Sequence, residues 1–108
     1  MIECGIRGRQ EAAVTKENTA RAMGSGELEV FATPAMIALA EKTAFESVAP
    51  FLEEGEGTVG TLVNVRHLAA TPVGMTVRCE SELVEVDRRR LVFRVELFDD
   101  REKVGGNP

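Results

Sequence analysis

Tryptophan and tyrosine are absent, and histidine occurs once and cysteine twice in 108 residues. Five phenylalanines are the only aromatics in a chain that is 44% apolar, so the core must be aliphatic. Cys4 and Cys79 stand far apart, with no CxxC and no metal-ligand spacing. They read as two free thiols in a reducing compartment, and the composition calls for no metal and no cofactor. No apolar run approaches the roughly 20 residues that span a bilayer. The first residues, MIECGIRGRQE, lack the apolar centre of a signal peptide, which points to the cytoplasm rather than a membrane. Positive charge is also short. A net charge of −5 argues against a nucleic-acid binder, whose affinity comes from a basic face neutralising phosphates. Internal repeats and low-complexity tracts are missing too, leaving one domain of ordinary size.

What is present is organised around residues 30–60, VFATPAMIALAEKTAFESVAPFLEEGEGTVG. Thr33-Pro34 is a helix-start signal, because a hydroxyl can cap orphan N–H groups and proline suits the first turn. Residues 35–40 are all apolar and show no surface face, as in a buried helix. Pro50 and the Gly55-Glu56-Gly57 stretch end the element. Ahead of it, residues 11–15 alternate as a short strand, 19–23 suit a helical turn, and Gly24-Ser25-Gly26 is a loop.

After the glycines the period becomes two. Residues 59–69 are rich in β-branched side chains and predict a strand, with Val59, Thr61, Val63, Val65 and His67 on one face. Residues 71–74 (TPVG) turn the chain. A second strand runs over 75–86, with Met75, Val77, Cys79, Ser81 and Leu83 on one side and charged residues on the other. A charged hairpin at 87–90 leads to a third strand over 91–98, and Asp99-Asp100-Arg101 turns again. Residues 102–104 open a fourth strand that stops at Gly105-Gly106-Asn107-Pro108. One apolar helix followed by an antiparallel meander is an α+β pattern. The sheet is expected to wrap around the helix as in the hot-dog fold.

Glu41 interrupts the apolar run and must either point outward beside Lys42 or serve a site, since burying an unpaired charge is costly. With Thr33 at the helix entrance and His67 on a strand, it completes the parts of an activated-nucleophile site: hydroxyl, carboxylate and imidazole. The first-turn N–H groups are suited to stabilising an oxyanion. Eight helical residues advance about 12 Å, so Thr33 and Glu41 cannot bond each other directly. His67 is expected between them, or a second subunit supplies one member. Arg88-Arg89-Arg90 reads either as a contact for ligand phosphates or as a solvated turn. Met23, Met36 and Met75 read as core filler.

Three pieces carry a family resemblance: VFAT at residues 30–33, APFLEEGEGTVGT at 49–61, and the His67 strand running into AATPVG. Over about residues 30–95 the chain resembles the fluoroacetyl-CoA thioesterase-like family of hot-dog thioesterases. That resemblance implies a homodimer hydrolysing an acyl-CoA substrate, with Thr33, Glu41 and His67 catalytic and Gly60 at the thioester carbonyl. It leaves open whether Glu41 or Thr33 is the nucleophile. Two departures stand out. The fluoroacetyl-specific enzyme has a longer lid with phenylalanines, where this chain has ARAMGSGELE, so any small acyl group fits the expectation as well. The family also continues with a last strand after its glycines, where this sequence stops, so either the polypeptide is truncated or the sheet does without that strand and leaves an exposed edge. The rival readings are a hot-dog module that binds acyl-CoA without turnover and a dehydratase, although the His–Asp motif of the latter is not seen.

Overall fold

The computed structural model describes residues 2–107. In chain order it contains β1 (Arg7–Ala13), α1 (Ala20–Met23), α2 (Thr33–Val48) with a 3-10 turn at Ala49–Phe51, β2 (Arg66–His67), β3 (Thr76–Asp87), β4 (Arg90–Phe98) and β5 (Lys103–Gly106). The five strands form one antiparallel sheet in the order β1-β3-β4-β5-β2.

Helix α2 crosses the concave side of this sheet, and two glycines let it come close. A Cβ on Gly8 of β1 would lie 2.7 Å from the Thr43 carbonyl oxygen and 2.7 Å from Ser81 Oγ. A Cβ on Gly105 of β5 would lie 2.7 Å from Met36 Sδ. Between helix and sheet, Met36, Leu39 and Ala40 pack against Val77, Cys79, Val95 and Leu97, all buried. The alternation read from β3 and β4 is the alternation observed: Val77, Cys79, Ser81 and Leu83 face inward, as do Val95 and Leu97. Apolar burial at every second position is what ties these two strands to one register.

Four expectations need correction. Helix α2 is not covered all round: Pro34, Ala38, Glu41 and Phe45 are exposed along one stripe, because a five-stranded sheet sheathes only one side of it. The strand expected over 59–69 is paired only at Arg66–His67. Residues 58–65 have the composition of a strand, yet Val59 and Leu62 stand 87% and 86% exposed. Among the described residues no strand pairs with them. The first strand begins at Arg7 rather than Glu11, and the last strand, β5, lies inside the sheet between β4 and β2. The sheet edges are therefore β1 and β2.

Candidate active site

Helix α2 starts without a side-chain cap. Ala32 is the N-cap residue, Thr33 opens the helix and Pro34 follows. The Thr33 hydroxyl is directed elsewhere: its Oγ1 lies 2.8 Å from His67 Nδ1. Strand pairing places that imidazole. His67 sits opposite Gly105 of β5, whose neighbour across the sheet is Leu97. A two-residue strand is thus enough to carry the imidazole to the helix entrance.

The two side chains differ in environment. Thr33 is exposed, whereas His67 is half-buried and its Nε2 is shut off from solvent with no hydrogen-bond partner among the described residues. Burial holds the imidazole below its usual value of 6.5, and the backbone of Ala69 opposes this only in part. A histidine kept neutral near pH 7 is suited to accept a proton. The pair opens into a pocket of about 340 Å³, whose walls include Ala20, Ser25, Val30 and Ala69. Sequence reasoning did not single out these wall residues. They are small or aliphatic, and the loop composition of 24–26 said nothing about what it covers.

Glu41 and Gly60 form a second, separate pair. Glu41 is exposed on the open stripe of α2, and its carboxylate lies against Gly60, so that a side-chain carbon on Gly60 would collide with Glu41 Oε2. Among the described residues no hydrogen bond joins Glu41 to His67. The expectation that His67 lies between Thr33 and Glu41 therefore meets half of its geometry within one chain. Thr33 touches the imidazole, while the carboxylate stands on the other site element, Gly60.

The arginine cluster takes the form of a solvated turn. Arg88 adopts a left-handed φ of 57° between the paired residues Asp87 and Arg90, and Arg90 is ion-paired with Glu85. No grouping of His, Cys, Asp and Glu suited to a metal ion occurs among the described residues.

Comparison with known proteins places this geometry. Residues 14–107 match the family model described as fluoroacetyl-CoA-specific thioesterase. A fluoroacetyl-CoA thioesterase from Streptantibioticus cattleyicolor is 47% identical over 77 residues, which is 71% of this chain and 55% of that protein. The chain thus spans about half the length of this curated relative in the aligned region. A crystal structure of a phenylalanine-to-alanine mutant of the fluoroacetyl-CoA-specific thioesterase FlK, with fluoroacetate and CoA, superposes with a TM-score of 0.92 at 37% identity, covering 98% of this chain and 90% of that one. A Thermus thermophilus thioesterase superfamily member reaches a TM-score of 0.89 at 33% identity, over 98% of this chain and 79% of that one. With the match to the family model running almost from end to end, this hot-dog chain belongs to the fluoroacetyl-CoA-specific thioesterase family.

Proposed function

We propose that the protein hydrolyses short-chain acyl-CoA thioesters as a homodimer, with Thr33, Glu41 and His67 catalytic and the Gly60 N–H polarising the thioester carbonyl. The observation that carries the reading is the 2.8 Å approach of the Thr33 hydroxyl to His67 Nδ1 at the uncapped start of a 16-residue helix. Nδ1 is positioned to take the hydroxyl proton as the oxygen bonds a carbonyl carbon or activates a water. The N–H groups of the helix start would stabilise negative charge developing on the substrate oxygen. The relative bound to fluoroacetate and CoA supports the substrate class. The absence of phenylalanine from the segment at residues 20–29 favours a short acyl group without a preference for fluorine, in a pocket lined by small residues together with Phe31 and Leu68.

The role of Glu41 follows from its contact. A carboxylate lying on Gly60 stands beside the carbonyl that the Gly60 N–H would polarise. This favours direct action on the substrate, as nucleophile or on the attacking water, over orientation of His67. Thr33 and Glu41 lie eight residues apart, about 12 Å along the helix. A second copy, pairing along the open 58–65 segment and covering the exposed stripe of α2, would bring the Glu41–Gly60 pair of one protomer to the Thr33–His67 pair of the other. This arrangement also removes the unpaired edge and the exposed Val59 and Leu62 from water.

The test is release of free CoA thiol across a panel of acyl-CoAs from two to eight carbons, run beside an enoyl-CoA hydration assay. Thiol release that is fastest for the shortest chains and lost in His67→Ala is the expected result. Tight acyl-CoA binding without thiol release would replace this reading with a binding module, and hydration without hydrolysis would replace it with a dehydratase.

A further inference from the structure

Behind the reacting pair lies a buried polar cluster that no step of hydrolysis uses. Thr71 and the side chain of Asp99 are both fully buried. The Thr71 hydroxyl donates to Asp99 Oδ2 at 2.9 Å, and the backbone N–H groups of Arg101 and Glu102 donate to Asp99 Oδ1 at 2.8 and 3.0 Å. Arg101 Nη2 bonds the same Oδ2 at 3.2 Å and the Ala70 carbonyl at 2.8 Å. Burial pushes the Asp99 carboxyl up, but these donors outweigh it and hold the group ionised below its usual range.

The cluster matters for where Thr71 stands. Its backbone carbonyl accepts the N–H of Phe31 at 2.8 Å, two residues before Thr33, and the adjacent Pro72 bridges Val30. In the other direction the chain runs back four residues to His67, with the Ala70 carbonyl gripped by Arg101 on the way. Thr71 is thus the point where the segment that delivers the hydroxyl and the segment that delivers the imidazole are tied together. Asp99 anchors that point to the turn between β4 and β5.

We propose that Thr71 and Asp99 are positioning residues whose buried hydrogen bond sets the approach of the Thr33 hydroxyl to His67. The inference rests on the reading of Thr33 and His67 as the reacting pair. A mere turn cap would add stability and leave the imidazole as it is. A positioning residue changes the imidazole's hydrogen bond and the rate.

Because His67 is the only histidine, its two ring C–H signals are assigned without ambiguity. Thr71→Val removes the hydroxyl at nearly constant volume, and Thr71→Ser restores it. The expected result is a shifted imidazole signal and titration midpoint in Thr71→Val, with kcat on acetyl-CoA down about tenfold and KM within about twofold, since small displacements of reacting groups cost rate steeply. Thr71→Ser should recover both readouts. A folded Thr71→Val with the native imidazole titration and native kcat overturns the proposal. Should Thr71→Val not fold, Asp99→Asn carries the test, because the amide keeps the side-chain volume and an acceptor for the Arg101 and Glu102 N–H groups while replacing the charged acceptor of the Thr71 hydroxyl. An altered imidazole signal then supports the proposal, and an unaltered one overturns it. If wild type and His67→Ala hydrolyse acetyl-CoA equally, the reading of His67 as a reacting group fails, whereas the imidazole signal of Thr71→Val still decides whether the clamp sets the ring.

Discussion

At the scale of single residues, the proposed chemistry depends on a neutral imidazole in contact with a hydroxyl. The folded chain holds the His67 imidazole below 6.5 by burial. Between that depressed value and 6.5, the unfolded chain binds a proton that the folded chain does not. Stability therefore rises with pH across this window and is lost on acidification through it. The base form also persists to lower pH than in a free histidine. A plot of kcat/KM against pH is expected to be flat above about 6.5 and to fall on an acid limb whose midpoint lies below that value. A midpoint above 6.5 would contradict a burial-dominated imidazole. Gly60→Ala makes a separate residue-scale prediction. The added methyl collides with Glu41 Oε2 on an exposed loop, so the carboxylate must move while the fold scarcely feels it. Activity should fall by about tenfold to a hundredfold with a stability change within about 0.5 kcal/mol, measured by thiol release and thermal denaturation. An active Gly60→Ala would separate Glu41 from the reaction.

Secondary-structure elements explain both what the sequence made legible and what it hid. Strands β3 and β4 were readable because each buries alternate residues against α2, and period two survives in the sequence wherever one face is dry. The entrance of α2 was readable from Thr33-Pro34, and a partnership of its hydroxyl with His67 was expected beside the N-cap reading; local sequence left both open, because an N-cap and a bond to His67 ask for the same kind of residue at the helix start. The strand expected over 59–69 was right in composition and wrong in pairing, because its β-branched residues look for a partner that a single chain does not supply. Thr71 and Asp99 read as two unrelated turns. A hydrogen bond spanning 28 residues leaves no periodic trace, so nothing in the order of residues pointed to it. Gly8 shows how closely helix and sheet are fitted. Its Cα lies where a Cβ would press on both the Thr43 carbonyl and Ser81, neither of which is the free end of a flexible chain. Gly8→Ala is therefore expected to cost about 1–3 kcal/mol by chemical denaturation, through overpacking. A neutral Gly8→Ala would mean that α2 can slide away from β1.

On the scale of the whole molecule, one copy looks unfinished. A strand-like segment runs unpaired, two aliphatic side chains on it are more than four-fifths exposed, and the apolar helix keeps an open stripe beside them. The parts of the proposed site fall into two pairs, Thr33 with His67 and Glu41 with Gly60. The proposed homodimer would remedy both features. Leu62→Asp should weaken that association, shifting sedimentation from dimer towards monomer at micromolar concentration and lowering thiol release in parallel. An active monomer would remove the need for a partner.

The most direct test mixes two inactive variants. In a homodimer whose sites each combine Thr33 and His67 from one protomer with Glu41 from the other, a hybrid of His67→Ala and Glu41→Ala carries both lesions in one site and none in the second. With random exchange half the dimers are hybrids, so mixing equal amounts should restore about a quarter of wild-type thiol release from acetyl-CoA. Recovery near that level is the predicted result. Two variants that are each inactive and stay inactive after exchange would contradict the shared site, and full activity in either variant alone would contradict the proposed chemistry.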